Sequence, residues 1–128
     1  MEKILAFLQE AKTFFVATVE DGEPKVRPFG FVMGYDGKVC MCTADGKNTS
    51  KQLKKCSAVE VSAAVGTKYI RMNGKAEFLG EDAEKKALEI MPALAQMIQP
   101  GKFEIFAITD GKAVISDLLS AETEIIEL

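Results

Sequence analysis

The chain has 128 residues, of which 48% are hydrophobic and 27% charged, and it carries a formal net charge of −3. Such values describe one globular domain over residues 1–128 and exclude a disordered, collagenous or fibrous chain. Histidine is absent altogether, which excludes Ser-His and Cys-His mechanisms, histidine-containing metal sites and a histidine proton shuttle.

From Glu2 to Lys12, Ile4, Leu5, Leu8 and Ala11 recur at helical spacing and predict a short amphipathic helix. The period then changes to two: residues 14–19 are aromatic and β-branched, residues 20–23 signal a turn, and Pro24 to Met33 reads as a second strand of the hairpin. A further turn at Tyr35 to Lys38 leads into a strand from Val39 to Thr43. Residues 44–46 break that pattern, and Asn48, Thr49 or Ser50 caps a short helix running to Cys56. Strand signals return at Ala58 to Val65 and at Tyr69 to Leu79, joined through Gly66 and Thr67.

Residues 81–98 revert to helical spacing, with Ala87, Met91, Leu94 and Ile98 on one stripe and Pro92 forcing a break. Two last strands, Phe103 to Thr109 and Lys112 to Ser116, are expected to meet at an Asp110-Gly111 turn. Phe103, Ile105 and Phe106 crowd the first of them, as an interface or as core. The remaining tail has four acids and no base, which suits a solvated end or a partner-facing segment. The whole reads as mainly β: an antiparallel barrel of six to seven strands with peripheral short helices, closed so as to hide its edges.

No apolar run reaches the roughly 18 residues of a membrane span, and the first residues lack a secretory pattern, so a cytoplasmic protein without membrane contact is expected. A compact chain of 13.9 kDa exposes roughly 6,700 Å² by the scaling of area with mass. Cys40, Cys42 and Cys56 make an odd count, which favours reduced thiols. Cys40 and Cys42 share one face of a strand and read as small buried residues more readily than as a redox or metal pair.

Charge is unevenly placed. Lys47, Lys51, Lys54 and Lys55 fall within nine residues that contain no acid, which leaves −7 on the rest of the chain. The cluster opens a predicted helix, where unpaired N–H groups and the positive end of the helix dipole favour a phosphate, and Thr49 and Ser50 add hydroxyl donors. A solvated helix face accounts for the same lysines equally well. On the second strand, Lys25, Arg27, Phe29 and Phe31 share a face, while Pro28 and Gly30 mark an edge, a bulge or a close approach. Arg27 either reaches the polar rim of a planar ligand or lays its stem over apolar surface. Aromatic residues make up only 8%, and there is no broad basic track, which speaks against nucleic acid.

The order of these pieces resembles one family. A strand over Thr13 to Thr18, the Arg27-Pro28 strand, an apolar strand ending in Thr43 and the lysine-bearing loop into a Gln52-Leu53 helix are similar to the pyridoxamine 5'-phosphate oxidase-like, FMN-binding split barrels. The resemblance runs from Phe14 to about Ser116. It implies a homodimer with FMN sites at the interface, Arg27 and Pro28 along the isoalloxazine, Thr43 near the ribityl chain or ring, and Lys47, Thr49 and Lys51 around the phosphate, with Ser50 and Gln52 beside them. Asn48 and Thr49 stand where true pyridoxamine phosphate oxidases carry an Arg-Lys pair, and the C-terminus lacks the arginine and histidine of those enzymes. The resemblance therefore implies an FMN-dependent oxidoreductase acting on a small molecule other than a B6 vitamer, akin to small nitroimidazole and flavin reductases. A flavin-binding sensor, carrier or electron-transfer module is the alternative, and a barrel for another phosphorylated metabolite is a third reading.

Overall fold

The computed structural model describes residues 1–97 and 103–128. Helix α1 (Glu2–Ala11) leads into β1 (Phe14–Glu20), β2 (Glu23–Phe29), β3 (Val32–Tyr35) and β4 (Lys38–Ala44). Helix α2 (Asn48–Lys55), β5 (Ala58–Val65), β6 (Lys68–Phe78), α3 (Glu81–Ile90), α4 (Leu94–Met97), β7 (Phe103–Asp117) and β8 (Thr123–Glu127) complete the order. The strands form one antiparallel eight-stranded sheet in the order β2-β1-β5-β6-β7-β4-β3, with β8 added to β7. This mainly β arrangement with short helices is consistent with a split barrel. No helix among the described residues is long and apolar enough to cross a membrane.

Two tight hairpins follow from local chemistry. Asp21 and Gly22 take φ of 51° and 81°, and Asp36 and Gly37 take 52° and 73°. Two successive residues at positive φ are what a two-residue hairpin needs to match the right-handed strand twist. Ile98, placed by its spacing on the stripe of the third predicted helix, lies outside the described residues. The break at Pro92 separates α3 from α4.

Three expectations change. The segment Pro24 to Met33 is not one strand: it stops at Phe29, resumes at Val32 and changes partner, because β2 pairs with β1 whereas β3 pairs with β4. Glycine and the preceding proline weaken the ladder there, and the two pieces become the opposite ends of the sheet. Nor do the last predicted strands form a hairpin. Residues 103–117 are a single strand paired with β4 and β6 in its first half and with β6 and β8 in its second. Asp110 takes a φ of 54°, but the chain bends instead of reversing, opposite an irregularity of β6 between Asn73 and Lys75. A Cβ on Gly111 would collide with the Asn73 carbonyl oxygen and lie 2.7 Å from the Gly74 Cα. Lastly, the acidic tail supplies the eighth strand, with Glu124 opposite Ile115.

Two cores lie on either side of the β4–β7 ladder. Val39, Met41, Phe106 and Ile108 point inward with Ile4, Leu8, Phe14, Val16, Ile70 and Met72. The alternate residues Cys40, Ile105 and Ala107 pack outward against Ala83, Ala87 and Leu94 of the helices. With both faces covered, these strands read as continuous apolar runs. Phe103, Ile105 and Phe106 are all buried within the chain and are therefore core.

Candidate functional site

Where β2 ends and β3 begins, the two cores part and leave a cavity of about 370 Å³. Phe29, on one side of Gly30, packs on the inner core through Phe14 and Phe106, with ring centroids 6.3 Å away in each case. Phe31, on the other side, packs against the outer core. Both rings line the cavity, together with Pro28 and Gly30. Met91 and Leu94 close its far wall from the break between α3 and α4. The size and the largely apolar lining with a few polar groups are those of a small-molecule site.

The polar end is built by the β4–α2 junction. Thr43 sits near the end of β4, Lys47 is the residue before the helix and Thr49 lies in its first turn, and all three line the cavity. Lys47 makes no side-chain cap for the helix, whose first internal bond runs from the Lys51 N–H to the Lys47 carbonyl at 3.1 Å. The N–H groups of Asn48, Thr49 and Ser50 thus have no acceptor among the described residues, and they form the positive end of the helix beside a lysine.

The lysine cluster divides in two. Lys54 pairs with Glu104 at 2.6 Å and Asp45 at 3.5 Å, and Lys55 pairs with Asp21 at 3.3 Å. Lys47 and Lys51 join no ion pair among the described residues. Lys47 lines the cavity, whereas Lys51 lies exposed outside its lining. Ser50 is fully buried, donates to Glu104 at 2.6 Å and is not among the residues that line the cavity.

Arg27 lines the cavity, but its guanidinium is committed on one side. One terminal nitrogen donates to the Thr18 hydroxyl at 2.7 Å and to the Val16 carbonyl at 3.3 Å, and the other donates to Gln52 Oε1 at 2.7 Å. Partial burial lowers its pKa, from a value so high that it remains a cation at neutral pH. Gln52, therefore, does not line the cavity: it is buried and acts as the acceptor for Arg27.

Of the eight residues singled out from the sequence, the structure brings Arg27, Pro28, Thr43, Lys47 and Thr49 together and leaves Ser50, Lys51 and Gln52 out of the lining. The aromatic pair Phe29 and Phe31, and Met91 and Leu94, join the wall without having been singled out as site residues. Cys42 lines the cavity too, and burial pushes its thiol up to about 12 despite the opposing charge of Lys47. Cys40 behind it is pushed up to about 11, also by burial. Burial thus favours the protonated thiol over the thiolate at both positions. Among the described residues no group of acidic or cysteine side chains is arranged to hold a metal ion.

The family described as pyridoxamine 5'-phosphate oxidase matches residues 1–114. A NimC/NimA family protein from Clostridium acetobutylicum is similar in structure, with a TM-score of 0.93 and 32% identity over 100% of this chain and 92% of that one. General Stress Protein 26 from Bacillus anthracis has a TM-score of 0.78 and 15% identity over 99% of this chain and 97% of that one. A pyridoxamine 5'-phosphate oxidase-related, FMN-binding protein from Nostoc punctiforme has a TM-score of 0.67 and 15% identity over 97% of this chain and 87% of that one. Comparison with curated protein sequences gives no match.

Proposed function

This chain belongs to the pyridoxamine 5'-phosphate oxidase family, and from that starting point we propose that it is an FMN-dependent oxidoreductase acting on a small molecule other than a B6 vitamer. One observation carries the reading: a single cavity joins an uncapped helix N-terminus, Lys47 and Thr49 at one end to Pro28, Phe29, Phe31, Met91 and Leu94 at the other. The donor set fits FMN. Unpaired N–H groups, a hydroxyl and an ammonium suit a phosphate monoester, and an apolar slot with aromatic walls suits a planar ring system.

When bound, FMN supplies two-electron redox chemistry. The chain's own residues bind and orient. Lys47, Thr49 and the first turn of α2 would hold the phosphate, Thr43 would face the chain between phosphate and ring, and the Arg27 cation would lie at the ring edge. A fixed positive charge there favours added negative charge. Phe29, Phe31 and Met91 would exclude water from the ring. Residues 123–127 form the strand β8, and within one chain none of residues 117–128 lines the cavity.

The reading includes a homodimer whose interface crosses the cavity mouth. Phe15 and Pro28 are register partners on the outer face of β1 and β2, Ala17 and Val26 are the next pair, and Phe15 and Val26 are 49% and 65% exposed. This apolar face continues into the cavity through Pro28. The isolated chain exposes 7398 Å², above the roughly 6,700 Å² expected for a compact chain of its mass. Three free cysteines fit a reducing cytoplasm.

Adding FMN to the purified protein should quench flavin fluorescence at micromolar concentration and shift the visible spectrum; an unchanged spectrum and full fluorescence would sink the reading. Reduction of the bound flavin by NADH or NADPH, followed by reoxidation by a small acceptor, separates an enzyme from a flavin-carrying module.

A further inference from the structure

We propose that Gln52 and Thr18 are positioning residues that hold the Arg27 guanidinium in one orientation, so that only its remaining edge is available to a ligand in the cavity. The inference rests on the flavin reading for the ligand, but its geometry is independent of it. Arg27 has five N–H donors. Three are taken: two on one terminal nitrogen by Val16 and Thr18, and one on the other by Gln52. Neither Val16, Thr18 nor Gln52 lines the cavity, whereas Arg27 does. The two donors left, the Nε–H and one terminal N–H, share one edge of the planar group, which makes a fork suited to two adjacent acceptors.

The acceptors are themselves fixed. The Thr18 hydroxyl donates to Gln52 Oε1 at 2.5 Å, so its lone pairs are turned to Arg27. Gln52 Nε2 donates to Glu20 at 3.1 Å. Reversing the amide would set an NH₂ group against the guanidinium and an oxygen against a carboxylate, so chemistry allows one orientation. Thr18 and Gln52 are 2% and 5% exposed. In that low-dielectric setting the bonds are strong and losing either partner is costly. Gln52 also stands three residues after Thr49 on the same helix, so one element carries both the phosphate donors and the group that aims the arginine.

Two kinds of measurement test this. The chain has two arginines, Arg27 and Arg71, and Arg71 is exposed with one 3.4 Å contact to Glu60, which makes it an internal control in guanidinium-selective NMR of the ¹⁵N-labelled, ligand-free protein. Restricted rotation should give Arg27 separate terminal-nitrogen signals in the parent. They should merge in Gln52→Met and in Thr18→Val and separate again in Thr18→Ser. Thr18→Val exchanges a hydroxyl for a methyl and carries the test where Gln52→Met does not fold.

In the second measurement FMN and riboflavin are titrated in parallel. Loss of positioning at the ring should weaken both by a similar factor, about tenfold, the low end for a hydrogen bond to a charged group. Unchanged Arg27 signals in both variants would overturn the proposal. So would a loss confined to FMN, since that assigns Gln52 to the placement of the phosphate-binding helix. A parent protein that binds neither flavin removes the functional reading while the NMR still decides the positioning.

Discussion

The Ser50 hydroxyl donates to Glu104 at 2.6 Å while Lys54 holds the other oxygen of the same carboxylate at 2.6 Å, so one acid on β7 clamps two points of helix α2. Ser50 is thereby spent on the fold. Replacing it with alanine strands a partly buried carboxylate oxygen and should lower stability by about 1–3 kcal/mol. Urea denaturation should show the loss, and the affinity for FMN should stay near that of the parent.

Lys47 and Lys51 are one helical turn apart yet should behave differently. Lys47→Ala removes the ammonium that lines the cavity and should weaken FMN about tenfold or more, the scale of a hydrogen bond to a charged group. Riboflavin, which lacks the phosphate, should bind the variant as it binds the parent. Lys51→Ala should leave both affinities alone, because that side chain stands outside the lining. Fluorescence titration of the two single variants checks the contrast.

Gly111→Ala should unfold the chain or lower its melting temperature sharply. The added methyl meets the Asn73 carbonyl and the Gly74 backbone, neither of which can rotate away as a side chain would. Gly22→Ala is the control: nothing lies within 4 Å of the added atom, and only the cost of a φ of 81° remains. Thermal melts followed by circular dichroism should separate the two.

Stability should decline in alkali. Burial raises Cys40 to about 11 and Cys42 to about 12 from an ordinary 9.0, so the folded chain keeps protons that the unfolded chain gives up. The stabilisation is complete below pH 9 and is lost as pH climbs through the folded values, at up to about 1.4 kcal/mol per pH unit for each thiol. Urea midpoints measured across that range should fall less steeply in Cys42→Ala than in the parent, and the difference isolates the contribution of one thiol.

Local chemistry made much of this molecule legible. Asp21-Gly22 and Asp36-Gly37 turn where their sequence says so, and the lysine and hydroxyl residues after Thr43 do open a helix. Asp110-Gly111 has the same two residue types and does not turn, because its glycine answers a neighbouring strand: the constraint comes from Asn73 and Gly74, far away in sequence. Met91 and Leu94 sat on the apolar stripe of a predicted helix, which is where core residues sit as well. Only the packing of α3 and α4 on β4 and β7 turns that stripe into a cavity wall. The family resemblance sets Gln52 beside the phosphate residues, and nothing local in the sequence shows its bonds to Thr18 and Arg27, which arrive from two other strands.

Gly30 and Phe31 are the whole covalent link between the two ends of the sheet. Among the described residues no ladder joins β2 to β3, so this connector lies outside the strand pairing while both of its neighbours, Phe29 and Val32, stay in register with β1 and β4. Chain length can therefore change at the cavity's edge separately from the scaffold: a residue inserted there would disturb no register, whereas one inserted in β1 or β7 would reverse the facing of side chains across the sheet.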